Sequence, residues 1–259
     1  MLQFTKNQTP YLTEPEVSII SSPSFDISSM LPFLKGFGYQ NYVDDSWGGT
    51  GEELCKVAGQ LCYMSFGELR TYNKDIQRYI DNIIEQGHGS VLEHANYSIL
   101  CYGISRSTTH ELVRHRAGFS FSQLSQRYCG PQTLRFVMRP EVTDIEKFEN
   151  FIDYVMEQYR ELTVQDGTKK KRKQINQLAR MVLPNCTEAP IIVTANVRAW
   201  RHFIEARGNE HADPEIRWLA LKIWGALLNK SEVLFSGYTM EGLLDSNIPC
   251  IRGEKRSKP

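Results

Sequence analysis

A stretch near the middle of the chain, residues 114–128, concentrates residues that bind anions. Its sequence, RHRAGFSFSQLSQRY, contains three arginines, one histidine and three serines. A guanidinium presents a planar fork of N–H donors that matches phosphate and carboxylate oxygens, and serine hydroxyls and backbone N–H groups add further donors. Phe119 and Phe121 alternate with the polar residues, which favours an ordered, half-buried segment over a solvated basic face. We therefore predict a site for an anionic ligand.

Two further groups of polar residues could contribute to this site. His88 opens the segment 88–94, and its neighbouring glycines favour a histidine that faces a ligand. His94, at the start of a predicted strand, is expected to be a core histidine. The second group lies on and after one helix and comprises Asn196, Arg198, His202, Arg207 and His211, of which Arg198 and His202 share a helix face because they are four residues apart.

Three other kinds of chemistry fit these residues less well. A metal site would need a third ligand beside His88 and His94, and none is evident, so we predict no metal. A serine hydrolase pairing of Ser125 with His115 lacks a GxSxG turn and a carboxylate that orients the histidine. Residues 169–173 (KKKRK) could bind RNA, but helix signals follow at once and favour a solvated helix face.

The composition limits the classes of partner. The chain has 259 residues, of which 41% are hydrophobic and 23% charged, with 30 basic and 30 acidic residues. A net charge of zero gives no bulk attraction to nucleic acid or to a membrane surface. The six cysteines form no CxxC pair, and no apolar run reaches the ~18 residues that span a bilayer. We expect a soluble cytoplasmic protein with reduced thiols and without a nucleic-acid or membrane partner.

Hydrophobic periodicity predicts the elements that must position the polar residues. The clearest is an amphipathic helix over 74–86, where isoleucines and a tyrosine recur at three- and four-residue spacing. The other predicted helices are 51–64, 107–116, 143–162 (opened by a capping box at 143–146), 174–183, 197–206 and one that opens at 213. In the helix 174–183, the spacing places Ile175, Leu178, Ala179 and Val182 on the inward face. The predicted strands are 17–20, 96–105, 133–138 and 190–195, with 119–124 extended.

Few strands among many helices, without regular βαβ alternation, predict an α+β fold. Neither GxGxxG nor GxxxxGK[ST] occurs, so we do not expect a Rossmann or P-loop nucleotide site. We predict an irregular N-terminal extension over residues 1–50, with a loop at 44–49. We also predict an α+β domain over residues 51–245, followed by a loose C-terminal tail over 246–259.

With these residues assembled, the sequence resembles flavin-dependent thymidylate synthase. The signature of that family, Arg-His-Arg followed after seven or eight residues by Ser-x-Arg-Tyr, is matched by residues 114–116 and 125–128. Its His-x-x-x-x-Glu-His segment is similar to residues 88–94, and its Ala-Arg-x-Val-Leu-Pro helix end to residues 179–184. Its Asn-x-Arg…Arg…His segment is similar to residues 196–211. The resemblance rests on four motifs in the same order.

The resemblance implies a homotetrameric enzyme that methylates dUMP at C5 to give dTMP. Its sites would be built by several subunits around an antiparallel sheet flanked by helices, and 51–245 would be the catalytic domain. Methylenetetrahydrofolate would supply the carbon, and FAD reduced by NADPH would supply the hydride. In such an enzyme the cofactor carries the difficult chemistry, while the protein binds, orients and polarises.

The resemblance also assigns residues to the two nucleotides by position. The FAD contacts would be Ser90, Arg114, His115, Arg116, Gln123, Asn196, Val197, Arg198 and His202, with His88 near the folate and isoalloxazine rings. The dUMP contacts would be Glu111, Leu112, Val113, Arg114, Gln123, Leu124, Ser125, Gln126, Arg127 and Arg207, with Arg180 supplied by another chain.

Arg207 is the residue expected to be catalytic. A guanidinium at the N3/O2 edge of the pyrimidine would favour the N3-deprotonated form and raise the electron density at C5. No cysteine nucleophile is then required, and Ser125 is interpreted as a ligand contact. The alternative function is a nucleotide- or flavin-binding module without catalysis, against which the intact arginines argue.

Overall fold

A computed structural model describes residues 1–42, 50–67, 75–163, 169–243 and 246–253. Its strands are β1 (Leu2–Phe4), β2 (Pro10–Leu12), β3 (Glu16–Ser21), β4 (Asn96–Tyr102), β5 (Phe119–Gln123), β6 (Phe136–Val137), β7 (Ile191–Asn196), β8 (Tyr238–Leu243) and β9 (Ser246–Gly253). Its helices are α1 (Leu31–Gly36), α2 (Gly51–Cys62), α3 (Ile76–Glu85), α4 (Arg106–Leu112), α5 (Ile145–Thr163), α6 (Lys169–Ala179), α7 (Val197–Gly208), α8 (Pro214–Lys230) and α9 (Glu232–Phe235). The loop expected at 44–49 lies outside the described residues.

Four strands form a central antiparallel sheet in the order β3-β4-β7-β5. Ile99 of β4 lies opposite Val193 of β7, and Phe119 of β5 lies opposite Ala195 of β7. Alternate residues of β4 and β7 are buried, because successive side chains of a strand point to opposite faces. The end of β7 therefore lies beside the start of β5, where the arginine-rich segment enters the sheet. The α+β prediction is confirmed.

Helices α7 and α8 bury their apolar faces in the main core with this sheet. Trp200 and Phe203 of α7 and Leu219 of α8 are fully buried in one cluster with Ile99 and Val193. Each such side chain contributes about 1.5–3 kcal/mol to stability on burial. The indole N–H of Trp200 donates to the carbonyl oxygen of Tyr97 at 3.2 Å, which ties α7 to β4. The residues that follow β7 are thereby held rigidly against the sheet.

The prediction of an irregular N-terminal extension over residues 1–50 is wrong where β1, β2 and β3 pair in sheets. Strand β3 is the edge strand of the central sheet, with Val17 opposite Cys101. Strand β2 pairs in parallel with β6, and Tyr11 of β2 is buried against α5, where its hydroxyl donates to Glu149 at 2.8 Å. The predicted strand 17–20 lies within β3, but no local pattern identified its partner β4, and the short strand β2 was not predicted.

The expectation of a loose tail is also wrong for the part that the structure describes. Strand β9 pairs with β8 as an antiparallel hairpin, and Ile248, Cys250 and Ile251 are buried. Ile251 packs against Gly208, since a Cβ added at that glycine would fall 2.7 Å from the Ile251 Cδ1 atom. The hairpin therefore covers the end of α7. Residues 254–259 lie outside the described part.

Several element boundaries differ from the sequence prediction. Helix α4 ends at Leu112 rather than Arg116, and strand β6 covers only two residues of 133–138. Helix α6 ends at Ala179, a 3₁₀ turn follows over Arg180–Val182, and Leu178 is exposed rather than inward. Helix α5 is capped by Asp144, which accepts from the Lys147 N–H at 2.9 Å, and not by a box at Thr143. No helix in the described ranges is long and apolar enough to cross a membrane.

Candidate active site

Helix α4 and the turn after it place the arginine-rich segment. Ser105 caps the helix by accepting from the Thr108 N–H at 3.3 Å, and buried Glu215 of α8 accepts from both the N–H and the hydroxyl of Ser105 at 2.7 Å. The turn closes at Gly118, where φ is +76° and an added Cβ would fall 2.7 Å from Nδ2 of Asn196. A glycine is needed there because the left-handed conformation and the close approach both disfavour a side chain.

Arg207 on α7 meets this segment through two side chains. Its Nη1 donates to Oε2 of Glu111 at 2.7 Å, and its Nε donates to Nε2 of His115 at 3.0 Å. The Arg207 side chain is 23% exposed, so the pair with Glu111 is partly desolvated. The structure therefore brings Arg207 of the 196–211 motif into contact with His115 of the Arg-His-Arg motif and with Glu111, which precedes that motif.

His115 is held by aromatic rings as well as by Arg207. Its ring centroid lies 5.2 Å from that of Phe203, 5.9 Å from that of Phe119 and 5.9 Å from that of His202. Burial, with the charges of Arg207 and His202, lowers the pKa of His115 to about 4. Its Nε2 is therefore an unprotonated acceptor at neutral pH. Because Arg207 occupies this nitrogen, a Ser125–His115 hydrolase pair finds no support.

Two adjoining cavities lie beside the arginine-rich turn. The first, of about 450 Å³, is lined by Glu93, Ala117, Gly118, Asn196, Arg198, Ala199 and His202. The second, of about 360 Å³, has His88, Gly89, Ser90, Tyr79, Cys62 and Arg198 in its wall. Arg198 borders both cavities, and its Nη1 donates to Glu93 at 2.7 Å. An extended ligand could therefore occupy both cavities and contact the Arg198 guanidinium between them.

The segment after β5 carries buried donors without acceptors. Gln123 donates to the hydroxyl of Thr109 at 3.0 Å, which holds the end of the strand against α4. Nε2 of Gln126 and Nε of Arg127 are buried, and neither has a partner among the described residues. A buried polar group without a partner costs about 1–3 kcal/mol, so such groups indicate a missing acceptor. Anionic oxygens of a ligand would supply it.

The remaining predicted site residues are not gathered by this single chain. The side chains of Arg114 and Arg116 are exposed and have no partner in the described part of the chain. Arg180 is exposed in its 3₁₀ turn and makes no described contact with Arg207. His88 is exposed and lines the second cavity. His94, expected in the core, is exposed.

Sequence reasoning assigned no role to several residues that line the cavities. Ala117, Gly118 and Ala199 border the first cavity, and Tyr79 borders the second. The glycine in the turn after Arg-His-Arg was a usable signal, because a tight turn there brings the chain against the following helix. The sequence contained no such signal for Tyr79, because this residue belongs to the apolar face of α3.

Neither metal chemistry nor an activated thiol is indicated by the described residues. No group of three or more His, Cys, Asp or Glu side chains in those ranges could hold a metal ion. Burial raises the pKa of Cys55 to about 12 and that of Cys186 to about 11, which keeps both as thiols. The arrangement can instead bind anions and polarise a ligand through Arg207.

This fold and site define a class: an α+β protein in which a guanidinium is held by an imidazole and a carboxylate, beside cavities and buried donors that could receive an anionic ligand. Residues 45–230 match the family model described as thymidylate synthase complementing protein. The chain belongs to that family.

Curated relatives carry the name flavin-dependent thymidylate synthase. The protein of that name from Mycobacterium avium (strain 104) is 42% identical over 207 residues, which cover 75% of this chain and 82% of the relative. The one from Corynebacterium diphtheriae is 41% identical over 216 residues, which cover 79% of this chain and 85% of the relative. The similarity thus extends over most of both chains.

A solved structure shares the fold. The crystal structure of the flavin-dependent thymidylate synthase from Helicobacter pylori, complexed with FAD and dUMP, aligns with a TM-score of 0.58. The two sequences are 24% identical, and the alignment covers 72% of this chain and 94% of the Helicobacter pylori chain. This likeness concerns the fold.

Proposed function

We propose that this chain is a flavin-dependent thymidylate synthase, which methylates C5 of dUMP to give dTMP. The observation that carries the proposal is the Arg207 cluster: the Arg-His-Arg motif folds against the arginine that the resemblance assigns to the pyrimidine, with Nε at 3.0 Å from His115. The identity of more than 40% with named relatives over most of the chain supports the same reaction. Methylenetetrahydrofolate is the proposed carbon donor and NADPH the proposed reductant.

FAD fits the two cavities that share Arg198. The walls offer cations, amides and hydroxyls for its polar groups, and the aromatic ring of Tyr79 for its apolar part. The exposed Arg114 and Arg116 lie next to the turn and would complete the binding of the pyrophosphate. The proposed FAD residues are Ser90, Arg114, Arg116, Gln123, Asn196, Val197, Arg198 and His202, with His88 nearest the reacting rings. When bound and reduced, FAD supplies the hydride.

The segment after β5 is the proposed cradle for the dUMP phosphate. Its buried and unpartnered donors, on Gln126 and Arg127, need acceptors of the kind that phosphate oxygens provide. Ser125 adds a hydroxyl beside the Arg127 N–H, which donates to it at 3.4 Å. Arg180 is proposed to reach the same phosphate from a neighbouring subunit, as the family resemblance implies, because its side chain is exposed and makes no described contact with the Arg207 cluster of its own chain.

Arg207 is proposed to activate the pyrimidine. Glu111 and His115 hold two of its N–H groups, so the remaining donors are free to face the N3/O2 edge of uracil. A cation there stabilises the negative charge that develops on removal of the N3 proton, and the charge raises the electron density at C5. C5 is the carbon that accepts the one-carbon unit. The chain's own contribution is thus binding, orientation and charge stabilisation.

Two further properties remain proposals. We propose a homotetramer, which the family resemblance implies; the apolar side chains exposed at the end of α6 are available for a contact between subunits. The cytoplasmic setting expected from the cysteine pattern stays a prediction.

The visible spectrum of the purified protein is the first test. We expect flavin absorbance, or its recovery on addition of FAD. Under anaerobic conditions, dUMP and methylenetetrahydrofolate added to the reduced holoenzyme should restore oxidised flavin while dTMP forms. Flavin that stays reduced, with no dTMP, would contradict the proposed reaction, and a protein that binds no FAD would contradict the cofactor.

A further inference from the structure

We infer that His115 is a positioning residue for Arg207: its Nε2 accepts from the Arg207 Nε and, with Glu111, aims the guanidinium at the pyrimidine. The inference rests on the proposed role of Arg207. It gives His115 a task that differs from the cofactor contact implied by the family resemblance.

Two acceptors fix the plane of the guanidinium. Glu111 takes the Nη1 proton at 2.7 Å and His115 takes the Nε proton at 3.0 Å, so two separate N–H directions are defined. A planar fork that is held at two nitrogens can no longer rotate, which sets the direction of its remaining donors. In the described part of the chain, the hydrogen bonds of Arg207 come from Nε and Nη1, and Nη2 makes none. This nitrogen is the donor left for a ligand.

The imidazole is itself held in one orientation. The ring of Phe203 meets it edge-on, with an interplanar angle of 76°, and Phe119 lies on another side. Both phenylalanines belong to the cluster that packs on the central sheet. The acceptor nitrogen is therefore placed by the core, and its position passes to Arg207 through one hydrogen bond.

A neutral acceptor suits this position better than a second carboxylate. Glu111 and Arg207 together carry no net charge, and unprotonated His115 adds none. A second carboxylate would leave the cluster with a net negative charge beside a ligand on which negative charge develops. A protonated imidazole would turn an N–H toward the N–H of Arg207 and break the bond.

The test compares three variants of the holoenzyme by the rate of dTMP formation in a single turnover. His115→Leu should lower this rate about 10- to 100-fold, the loss expected for one hydrogen bond to a charged group. His115→Gln, whose amide oxygen can accept, should recover most of that loss. His110→Gln, at an exposed position on α4, should retain the wild-type rate. Flavin absorbance checks that each variant keeps its cofactor.

A double-mutant cycle separates positioning from a general effect on the fold. If His115 acts through Arg207, His115→Leu should change the rate less than about threefold in an Arg207→Ala background. Equal losses in both backgrounds, or full activity of His115→Leu, would overturn the inference.

A measurement without turnover keeps the inference separate from the proposed reaction. Nitrogen NMR of His115 should show that Nε2 stays unprotonated to well below pH 6. The charged or titratable groups around this histidine are Arg207 and His202 of α7 and, across Arg207, Glu111 of α4. Because Arg207→Ala removes a positive charge, it should raise the pKa of His115. An unchanged titration in Arg207→Ala would refute the contact. If the wild-type enzyme made no dTMP, the proposed function would be refuted but the inference about His115 would not. The titration of His115 would still report its contact with Arg207.

Discussion

At the scale of single residues, Arg207 is the group that the proposed reaction requires most. Arg207→Ala should lower dTMP formation by about 10²–10³-fold, the range found when one donor to a developing negative charge is removed. The cavities beside α7 are lined by other side chains, so the variant should retain its flavin spectrum. Stopped-flow flavin reoxidation with chromatographic detection of dTMP measures both properties. Wild-type turnover in Arg207→Ala would remove it from the mechanism.

His115 gives the free energy of unfolding a dependence on pH. Its pKa is lowered from 6.5 to about 4 in the folded chain. Between these values the unfolded chain holds a proton that the folded chain lacks, so the free energy of unfolding falls as the pH drops from 6.5 toward 4. Gln does not titrate, so the midpoint temperature of His115→Gln should fall less than that of wild type. Parallel thermal curves for the two proteins would contradict the assignment.

Gly118 is the residue that allows the turn after Arg-His-Arg to approach α7. Gly118→Ala should destabilise the protein by about 1–2 kcal/mol, because alanine is strained at positive φ and its Cβ would displace Asn196. FAD should bind more weakly, since both residues line the first cavity. Gly225→Ala is the matched control: nothing lies within 4 Å of its added Cβ, and a helical alanine should stabilise by about 0.5–1 kcal/mol. Urea unfolding and FAD titration report the two effects.

At the scale of elements, the site depends on how α4 is anchored to α8. Glu215→Ala should lower the free energy of unfolding by about 2–3 kcal/mol, because it leaves the buried N–H and hydroxyl of Ser105 without their acceptor. Since α4 carries Glu111, the rate of dTMP formation should fall with it. Glu157→Ala, on the exposed face of α5, should change stability by less than about 0.5 kcal/mol. Similar stabilities for the two variants would exclude an anchoring role.

Local periodicity was sufficient for the elements that bury one regular face. Helix α3 covers Ile76–Glu85 within the predicted 74–86, because its isoleucines recur at helical spacing and are buried on one side. Strand β7 covers Ile191–Asn196 where an apolar run predicts it. The motif residues of the candidate site were recognised instead from their residue types and from the family resemblance.

Pairings between distant parts of the chain were not predictable in this way. Strands β3 and β9 take their places through pairing with β4 and β8, and no local pattern identifies those partners. The hydrogen bond between His115 and Arg207 joins residues 92 positions apart. The residue types around His115 and Arg207 placed each of them in a basic motif. Only the packing of α7 on the sheet determines that these two side chains meet. Leu178 was predicted inward from its spacing, yet no other part of the described chain covers it.

At the scale of the whole molecule, the end of α6 indicates a site that is shared between subunits. Met181 is 77% exposed and Leu178 is also exposed, on either side of exposed Arg180. Apolar side chains that are grouped on a surface are typical of a protein contact. A neighbouring subunit that covers them would receive Arg180, which the proposed mechanism directs to the dUMP phosphate.

Mixed assemblies test this sharing directly. Arg180→Ala and Arg207→Ala should each be nearly inactive alone. After the two are unfolded and refolded together, a site that takes Arg207 from one subunit and Arg180 from another should be intact in about a quarter of cases, and activity should return to that extent. Glu111→Ala mixed with Arg207→Ala is the control, because these residues meet within one chain at 2.7 Å and no mixture restores the pair. If neither mixture recovered activity while an affinity tag on one variant co-purified the other, which shows mixed oligomers, Arg180 would have to act within its own chain. Catalysis would then not require assembly into a homotetramer, since each subunit would hold a complete site.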